Sequence, residues 1–69
     1  MKRHFIIAKV GVATDRTGDS MYQIFYEIGD GVYEAAGAEQ LRGSGFEKND
    51  PMRLNKAMFM LRKLREANK

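Results

Sequence analysis

Asp50-Pro51-Met52-Arg53-Leu54-Asn55-Lys56-Ala57-Met58-Phe59-Met60-Leu61-Arg62-Lys63-Leu64-Arg65-Glu66 is the stretch on which the fold turns. At about 100° per residue, Leu54, Ala57, Met58, Leu61 and Leu64 form one continuous stripe, widened by Met60 and Ala67, which predicts a helix with one face in a core. Asp50 reads as the N-cap and Pro51 as the first helical residue, a favoured pairing. The helix is therefore expected from about Asp50 to about Ala67. Met52 and Phe59 point away from the stripe, beside Lys56 and Lys63. An apolar pair among lysines on a small protein is the pattern of a partner-binding patch. The structural alternative tucks Met52 under a sheet edge and leaves Phe59 as an ordinary exposed aromatic.

Ahead of the helix the periodicity shortens. Phe5 to Thr14 is β-branched and aromatic, with Ile6, Ala8, Val10 and Val12 uniformly apolar, which predicts a strand turning its even positions inward. Thr14 to Ser20 is a polar loop. Met21 to Ile28 reads as a second strand, with Tyr22, Ile24, Tyr26 and Ile28 on one face and Met21, Gln23, Phe25 and Glu27 on the other. Gly29-Asp30-Gly31 supplies a hairpin turn. Residues 32–42 are expected as a third antiparallel strand, bulged at Gly37, because a two-stranded ribbon alone is barely stable. A short helix there is the alternative. Gly43 to Asn49 is a connector in which Phe46 is free to pack where sheet meets helix. The expected architecture is α+β, a three-stranded antiparallel β-meander packed on one C-terminal α-helix (βββα).

Sixty-nine residues make a single domain, 1–69, near the lower limit for a chain that folds alone. The net charge of +3 conceals a polarity. Residues 51–69 hold six bases against Glu66 alone, whereas residues 10–50 hold three bases against eight acids. Such a dipolar molecule is steered towards an acidic surface, phosphate or protein. No apolar run approaches the roughly 18 residues of a membrane span. Met1-Lys2-Arg3-His4 leads into a strand without a small-residue cleavage site. The expectation is a cytoplasmic chain, complete from its own Met1, with no membrane partner.

Chemistry finds little purchase. With no cysteine, disulfides and thiolate metal sites are excluded. His4 sits at a terminus, and Ser20, Ser44, Thr14 and Thr17 have no base at a recognisable spacing. Asp15, Asp19, Glu27, Asp30, Glu34, Glu39 and Glu47 are dispersed through turns and strand positions. Asp15 and Asp19 with Asn49 lack the ordered acidic series of a calcium loop. Neither Gly29-Asp30-Gly31 nor Gly43-Ser44-Gly45 runs on into a phosphate-binding Gly-Lys-Ser/Thr. The expectation is a non-enzymatic protein without metal or organic cofactor. Its partner-binding candidates are Phe25, Tyr33, Met52, Arg53, Lys56, Phe59 and Lys63, and its oligomeric state is left open.

Two resemblances bear on the partner. Leu41-Arg42-Gly43-Ser44-Gly45 followed by Lys56-Ala57 on to Leu64 resembles the last half of a double-stranded-RNA-binding domain, in which a strand runs through a glycine-containing turn into a basic helix. The first helix of that family is missing, and Asn49-Asp50-Pro51 replaces its lysine-rich helix start. That likeness implies direct nucleic-acid binding through the helix bases, with Tyr22, Phe25, Tyr26 and Tyr33 as stacking candidates. The Tyr22-Gln23-Ile24-Phe25-Tyr26-Glu27 hairpin and the Asp50-Pro51 to Lys56-Ala57-Met58-Phe59-Met60 segment resemble small phage and mobile-element anti-CRISPR proteins, among them one group of type I-F inhibitors. The spacing differs, and this chain is basic where many such inhibitors are acidic. The likeness implies a steric or allosteric blocker of a CRISPR–Cas nucleoprotein complex in the host bacterial cytosol. That inhibitor is the favoured expectation and a small basic nucleic-acid-binding domain the alternative.

Overall fold

A computed structural model describes residues 4–67. Three antiparallel strands, β1 (Phe5–Val12), β2 (Ser20–Gly29) and β3 (Val32–Ala35), lie in the order β1-β2-β3. One helical turn, α1 (Ala38–Leu41), follows β3, and the C-terminal helix α2 (Leu54–Ala67) packs across β1 and β2. The βββα expectation holds. Asp30 and Gly31 turn the β2–β3 hairpin, and Gly31 supplies the positive φ of 73° that a side chain would resist.

The core is Phe5, Ile24, Tyr26, Ala36, Leu41, Met52, Ala57, Met60 and Leu64, with Ile7, Tyr22, Phe46 and Leu61 packed against it. β2 faces inward as its alternation requires, through Tyr22, Ile24 and Tyr26. Ile28 overruns the helix and is exposed. β1 does the reverse of its even-position reading. Phe5 and Ile7 face the helix, while Ile6 pairs with Phe25 on the uncovered face. Phe5, Ile6 and Ile7 are all apolar, so either face was available. The pairing Phe5↔Tyr26 and Ile7↔Ile24 selects the odd one, and a bulge between Lys9 and Gly11 then ends the regular register.

β3 stops at Ala35, seven residues short of the expected limit at Arg42. Gly37 is extended, and its N–H donates to Gln40 Oε1 at 2.8 Å, closing the start of α1. That turn drops Leu41 beside Ala36 in the core, a burial that a continuing strand does not give. Ser44 then closes the turn, its hydroxyl donating to the Leu41 carbonyl at 2.6 Å.

A strand of four residues cannot cover one of ten, and residues 49–52 complete the edge of β2. The Asn49 amide acts as a missing strand residue. Its Oδ1 accepts from Ile24 N–H at 3.0 Å, and its Nδ2 donates to the carbonyls of Ile24 (2.8 Å) and Ala36 (3.0 Å). Gln23 Nε2 donates back to the Asn49 carbonyl at 2.6 Å. Tyr22 and Met52 then exchange both backbone hydrogen bonds, at 2.6 and 2.8 Å. This bridge overturns the Asp50-Pro51 helix start: the segment is extended, and helical structure begins only at Leu54. Pro51 suits the bridge because the residue before a hydrogen-bonded pair turns its nitrogen away, so no rung is lost.

Candidate functional site

The side of α2 remote from the sheet is the most feature-rich surface of the described residues. Against the sheet the helix buries Ala57, Met60 and Leu64. The expected stripe is therefore rotated. Its members Leu54 and Met58 are 44% and 56% exposed, and Met60 takes the central place. A sheet of three strands, only one of them central, does not cover a stripe that wide.

Phe59 is 47% exposed and anchored on three sides. Phe46 meets its ring edge-on at 6.0 Å between centroids, which ties the 43–49 connector to the helix. The Arg62 guanidinium and the Lys63 ammonium stand 5.6 and 5.5 Å from its ring centre. Both lie within cation–π range. Lys63 also approaches Glu66 at 3.9 Å, the outer limit of an ion pair, while Lys56 and Arg62 make no ion pair among the described residues. Met58, Phe59, Leu61, Arg62 and Arg65 line a shallow depression of about 470 Å³. It is an apolar floor rimmed by unneutralised cations.

Of the seven candidates, Lys56, Phe59 and Lys63 share this face. Met52 does not, being buried at the edge of β2. Arg53 is also committed internally. It donates from Nη2 to Asp15 at 2.6 Å and from Nε to Asp19 at 3.1 Å, strapping the β1–β2 loop to the start of α2. Hydrogen bonds from the Thr17 hydroxyl and from Arg53 hold the Asp15 carboxyl down at about 2. Phe25 and Tyr33 lie on the far face of the sheet, where Phe25 pairs with Ile6 and Ala35 and Tyr33 with Glu27. One flat contact cannot touch both groups, because the sheet lies between them.

The candidates missed are Met58, Leu61, Arg62 and Arg65. Their signal is the i, i+3, i+4 spacing of Met58, Leu61, Arg62 and Arg65, masked because Met58 and Leu61 also fit the apolar stripe that predicts a core face. No described group of three or more histidine, cysteine or carboxylate side chains is placed to hold a metal ion, and no described helix is long and apolar enough to cross a membrane. No protein-family model, curated protein or solved structure matches the chain.

Proposed function

We propose that this chain is a non-enzymatic binding protein, and that it acts in the bacterial cytosol as a phage or mobile-element inhibitor of a CRISPR–Cas nucleoprotein complex through steric or allosteric contacts. The observation that carries the reading is Phe59, a half-exposed aromatic held rigid by Phe46 and flanked by Arg62 and Lys63. Preorganised aromatics beside arginine are the residue types that dominate protein interfaces, since little side-chain entropy is lost on docking. The resemblance to anti-CRISPR proteins in the hairpin and in Lys56-Ala57-Met58-Phe59-Met60 supplies the class of target.

The test is a phage-plating assay in cells carrying an active CRISPR–Cas system, with and without the chain, alongside binding to the nuclease-treated, purified effector complex. The expected result is restored plating and a complex that survives nuclease, with Phe59→Ala costing about 2 kcal/mol or more of affinity. Direct duplex binding predicts the opposite pattern. Affinity for bare duplex then falls linearly in log salt, Lys56 and Lys63 outweigh Phe59, and plating stays unrestored. That outcome removes the inhibitor reading.

A further inference from the structure

We infer that the free edge of β1, beneath the overhanging flank of α2, takes up an extended acidic segment of the partner as a fourth strand. The inference rests on the binding-protein reading and names the shape and charge of what is bound.

The edge follows from the register. Glu27 N–H donates to the His4 carbonyl at 2.9 Å, so His4 and Glu27 form a hydrogen-bonded pair. Alternation along the antiparallel ladder then directs the backbone groups of Ile6 and Ala8 towards β2, and those of Phe5, Ile7 and Lys9 outward. One outward group is met: Arg65 Nη2 donates to the Phe5 carbonyl at 3.4 Å, a long bond that a strand N–H can replace. The N–H and C=O of Ile7 and Lys9 have no partner among the described residues. An apolar edge of this length is a template for strand addition unless it is blunted, and Lys9 is the one charge in β1.

The same Arg65 contact shows which flank of α2 overhangs that edge. Met58, Leu61 and Arg65 follow one another at helical spacing on the Arg65 side, and all three line the depression described above. A strand added to β1 turns alternate side chains towards them. Opposite Phe5 a carboxylate reaches Arg65. Opposite Ile7 a large apolar side chain fills the space beside Leu61 and Met58. Opposite Lys9 a second carboxylate meets the ammonium. The segment thus reads carboxylate-x-apolar-x-carboxylate. A second copy of β1 brings Lys9 against the partner copy's Phe5 and Arg65 instead, cation upon cation, so charge favours an acidic partner over self-pairing.

Amide hydrogen exchange on the full chain tests this, with the capped peptide Thr-Thr-Glu-Thr-Leu-Thr-Glu-Thr-Thr as probe and its lysine-for-glutamate counterpart as control. The acidic peptide should slow exchange at Ile7 and Lys9 about tenfold when present at about ten times its Kd, and the lysine peptide should not. Lys9→Pro removes an outward N–H without touching the β2 ladder, so it should abolish the slowing while the amide spectrum stays dispersed. Arg65→Glu should weaken the acidic peptide. Equal protection by both peptides, protection at β3 instead, or a dimer in sedimentation that Lys9→Pro dissociates would overturn the inference. The two readings fail separately. Loss of plating activity in Phe59→Ala but not Lys9→Pro removes the strand and keeps the inhibitor. Peptide protection without any plating activity does the reverse.

Discussion

The Asn49 side-chain amide replaces a strand residue opposite Ile24, accepting from its N–H at 3.0 Å and donating to its carbonyl at 2.8 Å. One side chain thereby satisfies a stretch of β2 edge that β3 is too short to reach. Asn49→Ala leaves the Ile24 N–H and the Ala36 carbonyl without these partners, and each orphaned group costs about 1–3 kcal/mol. Urea unfolding should show a loss of about 2–3 kcal/mol. A loss within the range of an ordinary surface change, about 0.5 kcal/mol, would mean that water replaces the amide freely.

Asn49→Asp should be pH-dependent. The ionised carboxylate accepts from Ile24 N–H but faces the carbonyls of Ile24 and Ala36 with no proton to offer. Its folded-state pKa is therefore raised above the unfolded value, and the folded state binds the extra proton. Stability should increase as pH falls from about 7 towards about 4, reversing the usual carboxylate trend. Thermal unfolding across that range, against the parent, is the check.

Asp15 should behave in the ordinary sense. Its pKa is lowered from 3.8 to about 2 by the Thr17 hydroxyl first and Arg53 next. Its contribution is complete above 3.8 and disappears as pH falls through about 2. In an Arg53→Gln variant the midpoint should rise only part of the way, since the Thr17 bonds remain. A return to the full ordinary value, followed by carboxyl NMR titration, would show that Thr17 contributes nothing.

Along α2 the order of truncation costs should be Leu64 above Leu61 above Met58. Leu64 is fully buried, so Leu64→Ala should cost about 2–5 kcal/mol, a large share of the stability of so small a chain. Leu61 is only partly covered and should lose less. Met58→Ala should stay within about 0.5 kcal/mol. Equal losses at Met58 and Leu64 in chemical denaturation would mean that the helix is rotated from the orientation described.

The edge-on contact between Phe46 and Phe59 should appear as coupling in a double-mutant cycle. Alanine at either position and at both should give an interaction energy of about 0.5–1.5 kcal/mol. Additive losses would make Phe59 a free aromatic and weaken its role as a rigid anchor.

The meander and the C-terminal helix were legible in the sequence because each carries its own period: alternation in Tyr22, Ile24 and Tyr26, and a helical stripe through Ala57, Leu61 and Leu64. What misled was local chemistry overruled from a distance. Asp50-Pro51 has the composition of a helix start, but the backbone of Tyr22 claims Met52, and no local rule contains that contact. Phe5-Ile6-Ile7 is apolar throughout, so alternation alone could not choose its inward face. At the site, Lys56, Phe59 and Lys63 were readable from helical spacing. The capture of Arg53 by Asp15 and Asp19 was not, because it depends on where the β1–β2 loop returns.

The Asn49 contact also governs the order of assembly. Asn49 and Ile24 stand 25 residues apart in the chain, whereas the β2–β3 hairpin closes through the two residues between Gly29 and Val32. The ribbon can therefore form early, but the remainder of its second edge stays open until the 36–48 connector has closed a long loop. Lengthening that connector barely changes equilibrium stability, since doubling a loop costs only about 0.6 kcal/mol. It does prolong the interval in which that second edge of β2 is available to neighbouring chains. Refolding yield should consequently fall with protein concentration, and fall further with connector length, even where the native state is equally stable. The vulnerable species of this protein is kinetic, a nearly complete sheet waiting for one asparagine.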